Sequence, residues 1–356
     1  MLISPGLPPP FGGIQTATEG LAAALAPLID IRVVALSSNG EARDFPARIV
    51  RDDHGWLSRG RFIIETVAAV TRRPPDIVHA MTWRAALPTA LLPSRFRRPI
   101  VLHAHGSEVR RAGVLTRRLR NLVFRRAALV ICVSAFTADI VRREVGADPL
   151  VVGNGVSLPA STPTRETDPS RLRVLSVGRL VRRKGFDALI RACDLARAGG
   201  VEVELTVVGE GPERATLTDA VASRPWVRLT GHLSDEHLER EYASADVFAL
   251  LPQPLEADVE GFGIVFLEAA AHGLPVVATG VGGVPDVVRP QQTGMIVSSD
   301  AEAAEALTAL AQHPEMRRRL GDAGRRMAEQ STWTVRAQQL QRLYESVGQA
   351  RARVGC

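Results

Sequence analysis

Short apolar runs rich in Val and Ile alternate with amphipathic stretches of about 10 to 15 residues along the whole chain. This alternation is typical of βαβ units, in which helices connect parallel strands. In the first half the predicted strands are LIS, IRVVALSS, DIVHA, PIVLHAHG and LVICVS. In the second half they are LRVLSVG, VELTVVG, VRLTG, VFALLP, PVVATGV and GMIVSS. Their nearly continuous apolar character predicts strands that helices cover on both faces.

A stretch rich in proline, serine, threonine and charge, LPASTPTRETDPSR (158–171), separates the two groups of strands and is the predicted linker. A chain of 356 residues is long enough for two hydrophobic cores. We therefore predict an α/β protein with two Rossmann-like doubly wound parallel-sheet domains, 1–160 and 161–332, facing each other across a cleft. A last helical segment, 333–356, is expected to pack back on the first domain.

The composition is that of an ordinary soluble globular protein, with 46% hydrophobic and 23% charged residues. Cys132, Cys193 and Cys356 are too few and too scattered for a disulfide framework or a metal cluster. No apolar run approaches the roughly 18 to 20 residues of a spanning helix, and the start lacks a basic signal region. We therefore expect a cytoplasmic protein.

The net charge of +6 raises the question of a nucleic-acid or membrane partner. Arginines are spread along the chain and aromatic residues are only 4%, so stacking platforms for bases are scarce and no nucleic-acid partner is expected. The most concentrated basic stretch is RRAGVLTRRLRNLVFRRA (110–127). It predicts an ordinary helix with a solvated basic face, the favoured interpretation, or an amphipathic surface that meets anionic lipid at the inner face of the plasma membrane.

The stretch RLVRRKG (179–185) contains Lys184, the only lysine of the chain. The pattern places Arg179 just after a predicted strand and Lys184 just before a predicted helix. This is the edge at which open α/β sheets bind ligands. Two cations without metal ligands suit a diphosphate, because arginine offers a planar fork and lysine a point charge. The alternative is a solvated basic loop.

The stretch EGFGIVFLEAAAHGLPVVATG (260–280) carries two carboxylates eight residues apart. Glu260 precedes a loop-to-helix transition, and Glu268 lies inside a helix whose other residues are apolar, which predicts burial. A buried carboxylate needs hydrogen-bond partners, since an unpaired buried charge costs several kcal/mol. Adjacent sugar hydroxyls would be such partners. The alternatives are dipole compensation for Glu260 and an ion pair with an arginine for Glu268.

Two further turns carry candidate ligand contacts. In PPPFGGIQTATEG (8–20), Gly12 and Gly13 allow the backbone to approach a phosphate or sugar closely, although any tight turn uses glycine. In VLHAHGSE (101–108), His103 and His105 share a face at a strand end and suit a ligand or proton partner, or a solvated surface. The motif D-x-D is absent, so a sugar-nucleotide site that holds its metal through this motif is not indicated. G-x-x-x-x-G-K-[ST] and G-x-S-x-G are also absent, so neither a P-loop nor a hydrolase nucleophile elbow is indicated.

In their order along nearly the whole chain, these stretches resemble the retaining glycosyltransferases of family 4, which have the GT-B fold. The matching stretches are PGLPPPFGGIQ, DIVHA, HAHGSE, LVICVSAFT, VVGNGV, VGRLVRRKG, VVGEGP, LTGHLSDEHL, ADVFALLP, EGFGIVFLEAAAHGLPVVATGVGGVPDVV and TGMIV. The resemblance implies transfer of a hexose from a nucleotide-sugar to an acceptor hydroxyl, with retention and without a metal or other cofactor. It also implies a front-face reaction, an acceptor-binding first domain and a donor-binding second domain.

The resemblance assigns roles to four charged residues. Arg179 and Lys184 match the cation pair that holds the donor diphosphate. Glu260 and Glu268 match the E-x(7)-E motif, with the first carboxylate against the transferred sugar and the second against the ribose hydroxyls. Arg179, Lys184 and Glu260 are thereby implied to be catalytic.

The resemblance also assigns neutral groups. His105 matches the catalytic histidine near the reacting centre, and Gly13 matches the glycine-rich loop near the phosphate and acceptor. Met81 departs from the pattern, because a second histidine is frequent there. The remaining donor contacts are implied for the backbone around Gly231 and His232 at the base, and Phe262, Gly263 and Ile264 at the sugar and phosphate.

The details PPPFGGIQ and GRLVRRKG are most similar to bacterial mannosyltransferases that use GDP-mannose, some acting on phosphoinositide lipids. Enzymes that transfer glucose or N-acetylglucosamine from UDP-sugars to soluble acceptors such as aminocyclitols share almost all of the motifs. The acceptor therefore stays open between a small molecule and a lipid. Two further alternatives are a sugar phosphorylase with pyridoxal phosphate on Lys184 and a basic nucleic-acid-binding module.

Overall fold

The computed structural model describes residues 1–8, 12–38, 43–52, 55–110, 113–160, 171–255 and 259–354, with side chains up to 350. The chain divides into two compact units. Unit 1 comprises Met1–Gly155 and Trp333–Cys356, and unit 2 comprises Val156–Thr332. Most of the predicted linker, 161–170, lies outside the described residues.

Unit 1 contains a parallel sheet of seven strands in the order β3-β2-β1-β4-β5-β6-β7. The strands are β1 (Leu2–Ser4), β2 (Val33–Ser37), β3 (Ala47–Arg51), β4 (Val78–Ala80), β5 (Ile100–Ala104), β6 (Ala127–Cys132) and β7 (Leu150–Val151). The helices are α1 (Gly13–Leu25), α2 (Trp56–Arg72), α3 (Trp83–Ala90), α4 (Val114–Arg126), α5 (Ala135–Val145) and α12 (Trp333–Val354).

Unit 2 contains a parallel sheet of six strands in the order β10-β9-β8-β11-β12-β13. The strands are β8 (Leu172–Val177), β9 (Val203–Val208), β10 (Val227–Gly231), β11 (Val247–Leu250), β12 (Val276–Thr279) and β13 (Gly294–Val297). The helices are α6 (Phe186–Ala198), α7 (Arg214–Val221), α8 (Asp235–Ser244), α9 (Ile264–Ala271), α10 (Asp300–Gln312) and α11 (Pro314–Glu329).

The predicted α/β class and parallel sheets are confirmed, and every predicted strand is present. All residues of β2, β5, β11 and β12 are buried, as expected for strands with helices on both faces. Two strands at the edges of the first sheet, β3 and β7, were not predicted. The sequence of β3, ARIVR, is mostly exposed, and β7 has only two residues, so neither gives a buried apolar run.

The C-terminal helix α12 packs against α1 of unit 1. The indole of Trp333 fills the space beside Gly20 and Gly155, where any side chain would overlap the ring. Arg336 donates from Nε to the backbone carbonyl of Asn154 at 3.3 Å. The helix is therefore held at both ends of unit 1's first segment.

In both sheets the strand order reverses next to the first strand, between β1 and β4 and between β8 and β11. Ligands of open α/β sheets bind at the carboxyl ends of the strands beside such a reversal. The loops that leave these strand ends carry most of the residues selected from the sequence, including Gly13, Arg179 and Lys184.

Candidate active site

The turn between β8 and α6 is fixed against the end of β11. Residues Arg182–Lys184 form a single 3₁₀ turn, and Gly185 follows in the left-handed region with φ 65°. A side chain at Gly185 would overlap the carbonyl of Leu251, so the close approach requires glycine. The amide of Gln253 donates to the carbonyl of Arg183 at 2.7 Å. The turn therefore presents its side chains from a rigid backbone.

Two cations of this turn share one carboxylate oxygen. Oε2 of Glu260 lies 2.6 Å from Nζ of Lys184 and 2.5 Å from a terminal guanidinium nitrogen of Arg183. Lys184 and Glu260 are both buried, with exposed fractions of 7% and 8%. We call Arg183, Lys184 and Glu260 the charged cluster. The alternative of a solvated loop is wrong for Lys184, whereas Arg179 and Arg182 are exposed.

The charged cluster keeps Glu260 ionised. Burial by itself raises the pKa of this carboxyl group, but the charges of Lys184 and Arg183 and their hydrogen bonds outweigh burial, and the pKa is lowered below its ordinary value. The backbone carbonyl of Glu260 accepts from the amide of Gly283 at 2.9 Å. Residues 256–258, which include the acidic Glu256 and Asp258, lie outside the described residues.

Helix α9 begins four residues after Glu260, and no side chain caps its first turn. Its N-cap residue, Gly263, has φ 85° and no side chain that could cap the first N–H groups. Phe262 and Ile264 on either side are buried. Unpaired N–H groups at a helix start favour an anion. The carboxylate of Glu260 pairs with two cations, and this pairing is compatible with dipole compensation at the start of α9.

Glu268 lies in the middle of α9, and its partner is a tyrosine. The hydroxyl of Tyr242 donates to Oε2 of Glu268 at 2.9 Å. The Tyr242 ring stacks on His272 at 4.6 Å, and His272 approaches the Glu268 carbonyl through Nδ1 at 2.8 Å and Glu239 through Nε2 at 2.9 Å. Among the described residues, no arginine forms an ion pair with Glu268. The alternative of an ion pair between Glu268 and an arginine is therefore wrong within this part of the chain.

The pKa of Glu268 is raised by burial, and the Tyr242 hydroxyl opposes part of this effect. The carboxylate thus has one donor in place, and Oε1 has no partner in the part of the chain that the structure describes. Such a group gains from additional hydroxyl donors.

The predicted base-contacting backbone lies at the end of β10. Gly231 has φ 77°, and a side chain there would overlap the Glu210 carboxylate and approach the Arg214 guanidinium. Gly231 is buried, and the following residue, His232, is exposed. Because Gly231 has no side chain, a planar base could approach its backbone, and the Glu210 carboxylate and the Arg214 guanidinium bound the space beside it.

In unit 1 three imidazoles form what we call the histidine stack. His79 of β4 stacks on His103 of β5 at 5.5 Å, and His103 stacks on His105, just after β5, at 4.6 Å. Nδ1 of His79 lies 2.5 Å from the hydroxyl of Tyr344 on α12. Burial lowers the pKa of His79 to about 3 and that of His105 to about 4, and that of His103 well below its ordinary value. The stack is therefore neutral at physiological pH.

The backbone around His105 is held by a carboxylate. The amide of His105 donates to Oε1 of Glu108 at 2.5 Å, and its ring hydrogen-bonds to the backbone of Met81. Nε2 of His105 and both ring nitrogens of His103 have no partner among the described residues. A buried nitrogen without a partner is costly, so a bound hydroxyl at His105 would stabilise the site.

Gly13 is the first residue of α1, and neither its conformation nor its neighbours within the structure require glycine. No described heavy atom lies within 4 Å of the position that a Cβ would take. The preceding residues 9–11 lie outside the described residues.

The predicted basic stretch forms α4 with an amphipathic outer face. Val114 and Leu115 are exposed, with fractions of 61% and 71%, and Arg117 and Arg118 beside them are also exposed. The buried Arg120 anchors the helix by donating to the carbonyls of Val109 and Glu144. Residues 111 and 112 lie outside the described residues, and none of the described helices is long and apolar enough to cross a membrane.

Lys184 and Glu260 were selected from the sequence separately, and the structure brings them together. Four residues of these sites were not selected from the sequence: Arg183, Tyr242, His79 and Tyr344. The signal that could have found the tyrosines is rarity, because the chain has only two: Tyr242 bonds Glu268, and Tyr344 bonds His79 of the histidine stack. Among the described residues no group of three or more His, Cys, Asp or Glu side chains could hold a metal ion.

Two family models match this chain. The model described as Glycosyltransferase Family 4 matches residues 11–158, and the model described as Glycosyl transferases group 1 matches residues 163–327. The two matches fall on units 1 and 2 respectively.

Curated relatives include enzymes named GDP-mannose-dependent alpha-(1-6)-phosphatidylinositol monomannoside mannosyltransferase. The one from Mycolicibacterium smegmatis is 29% identical over 99% of both chains. The one from Mycobacterium tuberculosis is 32% identical over 74% of both chains. A solved structure of Anabaena Alr3699/HepE in complex with UDP and glucose is 20% identical, with a TM-score of 0.77 over 97% of this chain and 99% of that one. This structural likeness confirms the fold.

Proposed function

The chain belongs to glycosyltransferase family 4 and has the GT-B fold, and we propose that it transfers mannose from GDP-mannose to an acceptor hydroxyl with retention. Family membership makes the chain a glycosyltransferase that uses a nucleotide-sugar donor, and not a phosphorylase or a nucleic-acid-binding module. The choice of GDP-mannose is supported by relatives whose names specify that donor, at 27% to 32% identity.

The observation that carries the proposal is the charged cluster at the end of β8. Its single lysine is buried and fixed beside Glu260, at the edge where a donor would bind. We assign Arg179 and Lys184 to the donor diphosphate and the N–H groups near Gly263 to its oxygens. Glu260 would contact the transferred sugar and Glu268 the ribose hydroxyls. The base would lie against the backbone of Gly231 and His232.

In the proposed reaction the acceptor oxygen bonds to the anomeric carbon on the face from which the donor phosphate oxygen leaves. The departing diphosphate takes the acceptor's proton, so no side chain is needed as a covalent nucleophile. The work of the protein is electrostatic, because cations and amides stabilise the negative charge that develops on the leaving group. His105, with a lowered pKa, would act as a neutral hydrogen-bonding group towards the sugar. We assign Gly13 to the loop near the phosphate and acceptor.

We assign donor binding to unit 2 and acceptor binding to unit 1. A lipid-linked acceptor is supported by the phosphatidylinositol mannosides in the names of the relatives and by the basic, apolar outer face of α4. Peripheral binding to anionic vesicles that is lost at high salt would support this acceptor class. Turnover of a water-soluble acceptor with no vesicle binding would contradict it.

The second candidate is a transferase that uses UDP-glucose or UDP-N-acetylglucosamine and a soluble acceptor. It is supported by the UDP and glucose bound in the Anabaena structure. A panel of nucleotide-sugars in a thermal-shift assay separates the candidates, since a ligand at 100 times its Kd adds about 2.7 kcal/mol of stability. We expect the largest shift from GDP-mannose. A shift from UDP-sugars alone would favour the second candidate, and no shift from any nucleotide-sugar would contradict the proposed function.

A further inference from the structure

One oxygen of Glu260 accepts from two cations of the same turn. Nζ of Lys184 and a terminal nitrogen of Arg183 both reach Oε2, at 2.6 and 2.5 Å. Glu260 therefore neutralises part of the positive charge of Lys184, which under the proposed function must also bind the donor diphosphate. A second cation on the same carboxylate oxygen offsets this loss of positive charge.

The balance of charges makes this requirement explicit. The diphosphate of a nucleotide-sugar carries about two negative charges. Arg179, Arg183 and Lys184 together bring three positive charges and Glu260 one negative charge, which leaves a net of two positive charges from these four described residues. Without Arg183 the net falls to one, and Arg179 and Lys184 together would have to neutralise both the carboxylate and the diphosphate.

We propose that Arg183 is a positioning residue of the donor site: it neutralises Glu260, so that the charge of Lys184 serves the diphosphate and the carboxylate stays oriented towards the sugar. This inference rests on the proposed function. Nothing in the sequence separates Arg183 from its neighbour Arg182, and only the fold of the turn does so.

The geometry keeps Arg183 in this role. Its backbone carbonyl is held by the amide of Gln253 at 2.7 Å, and the adjacent left-handed Gly185 allows the turn to lie against β11. The charged groups that face Glu260 among the described residues are Lys184 and Arg183, both from the turn. The opposite loop contributes backbone, with Gly282 and Gly283 against the Glu260 carbonyl.

The chain provides a matched control in Arg182, which lies one residue away in the same turn and is exposed. Arg183→Met and Arg182→Met remove the same charge from the same segment. We expect Arg183→Met to lower kcat/KM about 10- to 100-fold, with a higher KM for the donor, and Arg182→Met to change it by less than about 2-fold. Arg183→Lys should restore most of the activity.

The pH profile distinguishes positioning from a merely structural role. Removing Arg183 takes away a charge that lowers the pKa of Glu260, so this pKa rises and the ionised form is lost at a higher pH as the pH falls. The acid limb of kcat/KM should therefore move to higher pH in Arg183→Met and stay in place in Arg182→Met. If Arg183→Met melts below the assay temperature, Arg183→Gln, which keeps an amide donor but no charge, is measured with the same expectation.

Binding of GDP and UDP to each variant, followed by the shift in Tm, does not depend on transfer. We expect one of the two nucleotides to stabilise the wild type and Arg182→Met, and to stabilise Arg183→Met much less. Equal shifts in both variants, or equal loss of kcat/KM, would overturn the inference and leave the proposed function intact. A wild type that neither nucleotide stabilises would overturn both.

Discussion

Each unit buries polar side chains near the carboxyl ends of its strands. These side chains are charged in unit 2 and neutral in unit 1. In unit 2 the charged cluster keeps its ions, because each charge has a partner within hydrogen-bond distance. In unit 1 the histidine stack is neutral, because burial without counter-ions lowers the pKa of each ring. Burial alone therefore removes charge, whereas burial with a matched partner retains it.

This difference suggests a division of labour. A site with an excess of fixed positive charge suits a diphosphate, whereas neutral rings with unpaired nitrogens suit hydroxyl groups of a sugar or an acceptor. Under the proposed function, unit 2 therefore does the electrostatic work and unit 1 provides neutral hydrogen bonds. Each variant below removes one element of this contrast.

The largest effect is expected from Lys184, the centre of the charged cluster. Lys184→Ala should lower kcat/KM about 100- to 1000-fold, or about 3 to 4 kcal/mol, because a preorganised group facing the leaving group is lost. Lys184→Arg keeps the charge and should still lose most of the activity, since a planar fork does not fit a site shaped for a compact ammonium group. Steady-state kinetics with Arg182→Ala as the control measures both effects. Near-wild-type transfer by Lys184→Ala would contradict the site assignment.

A smaller effect is expected from replacing either tyrosine. One tyrosine lies in each unit, so the two variants can be compared directly. Tyr242→Phe removes the hydroxyl that hydrogen-bonds to Glu268. The variant should bind the nucleotide-sugar about 10-fold more weakly, since hydrogen bonds to charged groups contribute about 1.5 to 3 kcal/mol. Tyr344→Phe leaves His79 without a partner and should reduce stability but not donor affinity. Calorimetric titration with the donor and urea denaturation separate the two. Equal donor affinities in the two variants would contradict the assignment of Glu268.

An effect on stability and not on transfer is expected from the pH dependence of unfolding. Unfolded histidine takes up a proton near pH 6.5, whereas His79 and His105 do so near 3 and 4 in the folded chain. Between about pH 6.5 and 4 the unfolded state therefore binds more protons, and the free energy of unfolding falls as the pH falls. Each histidine contributes about 1.4 kcal/mol per pH unit to this slope.

Urea denaturation at several pH values measures this slope. His79→Gln should make it shallower. Identical slopes for the wild type and His79→Gln would contradict a neutral histidine stack.

The sequence predicted the fold better than it predicted the side-chain contacts. Buried parallel strands are continuous apolar runs, so their positions and the loops at their ends are readable. The edge strand β3 was missed because an exposed edge has no such run. The candidate donor-site residues were selected because they follow strand ends, but the pairing of Arg183 and Lys184 with Glu260 was not predicted. Which of Arg182 and Arg183 turns inward depends on a 3₁₀ turn and on the contact of Gly185 with Leu251, which no local pattern records.

Partners that are distant in sequence were equally invisible. Tyr242 precedes Glu268 by a strand and a loop, and Tyr344 reaches His79 from the opposite end of the chain. The periodicity of a helix predicts which face is buried, but not which buried hydroxyl meets which carboxylate or imidazole. Residue rarity, which drew attention to Lys184, applies to both tyrosines as well.

Under the proposed function, the lysine of the charged cluster holds the donor diphosphate. Thermal shifts of the wild type and Lys184→Met with GDP, UDP and the two monophosphates test it directly. We expect one diphosphate to stabilise the wild type strongly and Lys184→Met by no more than the corresponding monophosphate does. A diphosphate shift of equal size in the wild type and in Lys184→Met would contradict the claim.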